Sequence, residues 1–187
     1  MIPQPRGLAR VISLFKVGLA VVKRKTEQSA PDSLRLQEAR DLFLARNGFR
    51  VEDYAAPTVK IGILGLPFTF PNTKGRKRIV HLHDLHHVLT GYRTNWTGET
   101  EISAWELRAG CYSFTAYALN GLGVILGVFI APVRAARAFC AAAGQRTLYR
   151  DNIAYDSLLQ MTVGEARKRL GIPPGGSLRS PDNAKTG

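Results

Sequence analysis

The run His81-Leu82-His83-Asp84-Leu85-His86-His87 holds all four histidines of the chain within seven residues. On a helix, His83 and His87 are four apart and stack on one face. That spacing sets two imidazoles on one metal ion. Asp84 is adjacent and offers an oxygen ligand, and Glu99 offers a second carboxylate from the start of the next helix. Two nitrogens and two oxygens suit zinc, but also iron, manganese or cobalt, and ligand type does not choose among them. His86 should point away from the face shared by His83 and His87, and His81 should precede the helix. Both read as structural or as supporting groups, because ligating imidazoles ordinarily give their other N–H to a carboxylate or carbonyl. The competing reading is a hydrogen-bonded cluster with no metal. Glu106, seven residues after Glu99, returns to roughly the same helical face. It is a candidate base or orienting group beside the ligands, or an ordinary surface glutamate. Trp105 reads as core, and Tyr92 and Arg93 should lie at the site's edge, where Arg93 could meet an anionic substrate.

The elements that must position these groups read as helices. Pro31-Asp32-Ser33 precedes an apolar-periodic run through Leu36, Ala39, Leu42 and Phe43, stopped by Asn47-Gly48. Residues 55–75 change character and suggest a short extended segment near 59–70, then a loop. Lys74-Gly75-Arg76-Lys77-Arg78 reads as a solvated basic turn, with a binding patch as the alternative. The histidine helix should end at Gly91, and another should open near Thr97-Gly98-Glu99. Ala109 to Val133 is uncharged between Arg108 and Arg134. Its length would cross a bilayer, but its polar first half and its glycines favour a buried or lipid-lining helix closed by Pro132. Thr162 and Glu165 form a capping box for a last helix ending at Leu170-Gly171. The expected fold class is therefore all-α: a basic amphipathic helix at 1–26, a helical metal-binding domain at 27–172 and a flexible tail at 173–187.

Composition limits the function classes. The chain of 187 residues carries 26 Lys and Arg against 14 Asp and Glu, a net charge of +12. That surplus implies an anionic neighbour. Residues 1–26 supply six bases and no acid, and their apolar stripe suits either an anionic membrane surface or a core helix. Lys16 interrupts any secretory hydrophobic run. Two cysteines, Cys111 and Cys140, without a paired motif exclude a disulfide scaffold and read as buried thiols.

His83-Asp84-x-x-His87, eleven residues and Glu99 resemble the metal-binding signature of a coenzyme Q (ubiquinone) biosynthesis family, the fourth of the Coq series. The resemblance extends through Gly91, Thr94-Asn95 and Gly98-Glu99 to Trp105 and Glu106. It continues in Ala131-Pro132-Val133-Arg134 and in Glu165 to Ile172. Val59–Asn72 departs from the family pattern, which bears on the substrate more than on the metal site and suggests a bacterial-type relative. The resemblance implies an all-helical protein on a membrane surface and a metal, zinc first, held by His83, Asp84, His87 and Glu99. It also implies a polyprenyl quinone precursor as partner, with oxidative decarboxylation of its ring as the reaction. The implied location is cytoplasmic and peripheral on the inner membrane face, or the mitochondrial matrix in a eukaryote. A non-catalytic scaffold organising other quinone-biosynthesis enzymes is the alternative, and homo-oligomerisation is left open.

Rival classes fit less well. A histidine–aspartate phosphohydrolase needs an earlier histidine, and none precedes His81. A zincin-type peptidase needs Glu where Asp84 stands. A nucleic-acid binder would explain the charge, but the bases are dispersed and no recognition motif emerges.

Overall fold

Thr73 accepts a hydrogen bond from the Arg76 N–H and opens the helix that carries every histidine. The computed structural model describes residues 29–63, 66–111, 120–121, 124–125, 127 and 129–178. Within these, α1 is Leu36–Arg46, and a 3₁₀ turn at Val51–Ala55 leads into β1 (Thr58–Ile63) and β2 (Leu66–Pro71). Then come α2 (Lys74–Thr90), α3 (Trp96–Ala109), α4 (Pro132–Ala141), a 3₁₀ turn at Leu148–Arg150, α5 (Tyr155–Gln160) and α6 (Val163–Leu170). The strands form one antiparallel hairpin with Thr58 opposite Pro71 and Ile63 opposite Leu66. The domain is all-α apart from this hairpin, which occupies the expected extended segment.

Buried apolar side chains recur at helical spacing on the two helices that matter most. On α2 these are Leu82, Leu85 and Leu89, and on α3 they are Ile102, Trp105 and Ala109. They meet Leu36 of α1, Leu158 of α5, and Val163 and Leu170 of α6 in one core. Trp105 is fully buried, as expected, and its Nε1–H donates to Gln145 Oε1 at 2.6 Å. α3 packs most extensively on α4. Before α4, Gly127 comes so close to Thr100 that an added Cβ would lie 2.0 Å from its hydroxyl oxygen. That is the close approach expected of a glycine in this segment.

The ends of α1 and α6 are laced together. Leu36 N–H donates to Met161 O, Val163 N–H donates to Leu34 O, and the capping box of Thr162 and Glu165 is complete. From α6, Arg167 reaches into the core and is 1% exposed. Its guanidinium donates to Leu89 O at 2.9 Å, Val88 O at 3.4 Å, Ala30 O at 2.8 Å and Asp32 Oδ1 at 2.6 Å. The carbonyls of Val88 and Leu89 belong to the last turn of α2, where intrahelical donors run out. A cation there also suits the negative end of the helix dipole. Arg167 therefore anchors the C-terminal end of the histidine helix.

Several expectations are corrected. The basic run from Lys74 is the first turns of α2 rather than a solvated turn, so His81 lies inside the helix instead of preceding it. The uncharged run from Ala109 to Val133 is not one helix. α3 ends where Gly110 takes φ 112°, the helical residues before Ala131 stop at Ile130, and Pro132 is also the first residue of α4. Among the described residues no helix is long and apolar enough to cross a membrane. Cys111 is buried as expected, whereas Cys140 is exposed. The first residues of the expected tail are held, because the N–H groups of Ser177 and Leu178 both donate to Thr90 O, and residues 179–187 lie outside the described residues. The basic 1–26 segment lies outside the described residues.

Replacing Arg167 by Met would keep the bulk but strip donors from three backbone carbonyls. A loss of about 2–4 kcal/mol is expected in urea unfolding, at unchanged denaturant sensitivity.

Candidate metal centre

Gly91, at φ 81°, ends α2 and turns the chain back, so that the Tyr92 carbonyl faces His87. Asn95 then caps α3 through the Gly98 N–H at 2.9 Å, and Glu99 follows in the first turn. Gly98 is required here, because a Cβ would lie 2.1 Å from the Arg93 carbonyl oxygen. The short α2–α3 connection thus brings Glu99 against His83 and His87.

The hydrogen bonds determine which nitrogen of each ring is free. His87 Nδ1 lies 2.9 Å from Tyr92 O, and His83 Nδ1 lies 2.9 Å from Glu106 Oε1. Both oxygens are acceptors at an ionised carboxylate or a carbonyl, so both Nδ1 atoms carry hydrogen. Each ring therefore presents Nε2 to the other, at 3.2 Å. Glu99 closes the group, with Oε2 3.3 Å from His83 Nε2 and Oε1 3.4 Å from His87 Nε2. Three electron-rich groups converge, and such a junction needs a cation between them. His83, His87 and Glu99 form a group that could hold a metal ion.

Charge in the junction follows this geometry. Burial opposes a charged His83 ring, but the charge and hydrogen bond of Glu106, and then Glu99, hold its pKa well above the usual imidazole value. Burial pushes the Glu99 carboxyl up, but hydrogen bonds with His83 and His87 outweigh it and bring the carboxyl down to about 2. A proton on His83 is the smallest cation that satisfies the junction.

Glu106 lies beneath the group and is fully buried. Its Oε1 accepts from His83, from His86 Nδ1 at 2.6 Å and from the Tyr149 hydroxyl at 3.1 Å. Its Oε2 accepts from Asn120 Nδ2 at 2.6 Å and again from Tyr149 at 3.1 Å. Burial would raise the Glu106 pKa, but His83 and then His86 hold the carboxyl well below its usual range. His86 Nε2 accepts the Leu148 N–H at 2.9 Å, so this ring is hydrogenated at Nδ1 and neutral. Burial accordingly lowers its pKa. Glu106 orients His83, and His86 joins Glu106 to the Leu148–Arg150 turn.

Asp84 is the one expected ligand that lies outside the three-residue group. Its Oδ2 accepts from the Tyr54 hydroxyl, and burial raises its pKa against that bond. Arg93 is exposed at the edge, and Tyr92 is buried and acts through its carbonyl. Tyr54, Asn120 and Tyr149 were not read as site residues from sequence. Only Asn120, a polar residue in an uncharged run, left any trace there.

No protein-family model, curated protein or solved structure matches the chain.

Elemental analysis should find close to one transition metal per chain, lost in a His83→Ala/His87→Ala double variant. Full occupancy in that variant would remove the assignment. Glu106→Gln, which keeps the shape but weakens the hold on His83, should lower metal affinity roughly 10–100-fold in chelator competition. Gly98→Ala should shift Glu99 and destabilise the fold by about 1–3 kcal/mol, measured by denaturation.

Proposed function

We propose that the chain is a metal-dependent enzyme of ubiquinone biosynthesis. It modifies the ring of a prenylated quinone precursor at a membrane surface, in the oxidative decarboxylation class. The observation that carries the metal part is the convergence of the Nε2 atoms of His83 and His87 on the Glu99 carboxylate. The quinone substrate rests on the sequence resemblance.

Donor spacing fits a tetrahedral ion such as zinc. Bonds of about 2.0–2.1 Å to a tetrahedral ion put neighbouring ligand atoms about 3.3 Å apart. The three separations here are 3.2, 3.3 and 3.4 Å. His83, His87 and Glu99 would hold the ion, and Asp84, bonded to the Tyr54 hydroxyl, would join them as a ligand only by giving up that bond. A divalent ion held there would polarise the ring's carboxylate and phenolic oxygens and stabilise negative charge developing on them.

The protein's own groups set the rest. Glu106 and the Tyr92 carbonyl stop the two imidazoles from turning. The His87 side chain is 1% exposed and closes one side, whereas His83 at 23% and Glu99 at 41% leave the other side open to a ring. Replacing a ring carboxylate by hydroxyl releases carbon dioxide and removes two electrons, so an oxidant such as dioxygen accompanies the substrate.

The membrane part draws support from an apolar surface. Ile125, Phe129, Ile130 and Val133 are exposed within nine residues, Phe129 by 86%, and Arg134, paired with Glu101, and Arg137 follow them. Apolar side chains beside arginines suit an anionic interface. The same surface favours a second reading, a lipid-bound scaffold for other quinone-biosynthesis enzymes.

Mass-spectrometric profiling of quinone precursors in cells carrying Glu99→Ala or His87→Ala separates the two. Accumulation of a ring-carboxylated prenylated precursor, with protein abundance and partner assembly intact, is the expected result. An unchanged quinone pool would end the enzyme reading.

A further inference from the structure

Asp84 stands three residues before His87 on α2, a spacing at which helical side chains are neighbours. It is near enough for the charges of His83, His87 and Glu99 to act on it. Yet it lies outside the group that those three residues form. Its Oδ2 instead accepts from the hydroxyl of Tyr54, thirty residues earlier in the chain.

Tyr54 is fixed from several sides. It belongs to the 3₁₀ turn Val51–Ala55, whose start is closed by the Arg50 N–H donating to Asp53 Oδ2 at 2.9 Å. Asn72, directly after β2, holds the far end of the turn. Its Nδ2 donates to Tyr54 O at 3.2 Å and to Ala56 O at 2.8 Å. Lys77 of α2 donates to Ala55 O at 3.1 Å. The phenol ring packs edge-on to His81, with centroids 4.0 Å apart. A phenol hydroxyl is a donor throughout the working pH range, so Tyr54 offers Asp84 a bond that competes with any ion beside it.

We propose that Tyr54 is a positioning residue that withholds Asp84 from the metal centre, so that His83, His87 and Glu99 alone hold the ion. This rests on the metal reading above and deepens it. Three protein ligands leave a coordination position for a water or a substrate oxygen, the arrangement of catalytic zinc sites, whereas four protein ligands close it. The number of carboxylates matters as well. A divalent ion with one carboxylate keeps positive charge for an anionic substrate group, which a second carboxylate would cancel. Because Asn72 ties the Tyr54 turn to the hairpin, the open position depends on a segment that contributes no ligand.

The test is the zinc affinity of the full chain by chelator competition, with the visible absorption of the cobalt-loaded protein as a report on ligand number. Tyr54→Phe removes the donor and keeps the ring. It should bind zinc roughly 10-fold more tightly or better, with a changed cobalt spectrum, because Asp84 then joins the ion. Adding Asp84→Asn to Tyr54→Phe should cancel the gain. Asp84→Asn alone keeps an acceptor for Tyr54, so it should leave the cobalt spectrum unchanged and lower zinc affinity by less than roughly 10-fold. A tyrosine that only supported the fold would give a loss on removal, and Asp84→Asn would not reverse it. Should Tyr54→Phe fold poorly, Asp84→Asn decides by itself. The proposal alone is overturned if zinc binds through His83 and His87 but Tyr54→Phe brings no gain. It is equally overturned if Asp84→Asn alone changes the cobalt spectrum or weakens binding beyond that limit. A wild type without zinc, or zinc retained in His83→Ala/His87→Ala, would overturn the metal reading and this proposal together.

Discussion

Two imidazoles whose Nδ1 atoms are already committed must point their Nε2 atoms at each other and at a carboxylate. That arrangement is repulsive until a cation joins it, and the surrounding structure resists its relaxation. Neither ring can turn without losing its bond to Glu106 or to the Tyr92 carbonyl. The close approach of Gly98 to the Arg93 carbonyl sets the backbone of Glu99 beside the two rings. The protein therefore holds a cation-binding geometry in place through its backbone turns as well as through its side chains.

Glu106 is the most heavily bonded group in this arrangement. A carboxylate with no solvent contact is costly unless its oxygens are fully satisfied. Here donors converge from α2, from residue 120 and from the Leu148–Arg150 turn. Loss of any one would leave charge buried and underbonded, so the network couples the metal group to segments distant in sequence. Arg167 has a parallel role at the C-terminal end of α2, where its donors meet carbonyls that the helix cannot satisfy itself. The histidine helix is thus held by a buried anion near its middle and a buried cation near its end.

The surface divides in a corresponding way. One region, around Phe129 and Val133, exposes apolar groups beside arginines. Another, at the start of α2, gathers Lys74, Arg76, Lys77 and Arg78. Both contribute to the surplus of 26 basic over 14 acidic residues, which by composition alone pointed to an anionic neighbour without locating it.

Much of this was legible in the residues themselves. Four-residue spacing put His83 and His87 on one face, Gly91 and Gly171 ended their helices, and Thr162 with Glu165 capped the last one. These are local effects of helical period, glycine conformation and side-chain capping, and they operate within a few residues. The basic run at Lys74 misled because charge predicts solvation and says nothing about whether the backbone is helical. Pro132 follows the end of one helical stretch and opens the next, because a proline suits the first turn of a helix. Which acid would complete the metal group, and which would orient it, was decided by tertiary structure. Asp84 is adjacent in sequence yet turns to Tyr54, while Glu99 reaches both imidazoles across a tight turn. Tyr149 and Asn120 meet Glu106 only because α2, α3 and the Leu148–Arg150 turn pack around one core. Sequence spacing governs contacts along a helix; contacts between elements depend on how their buried faces pack.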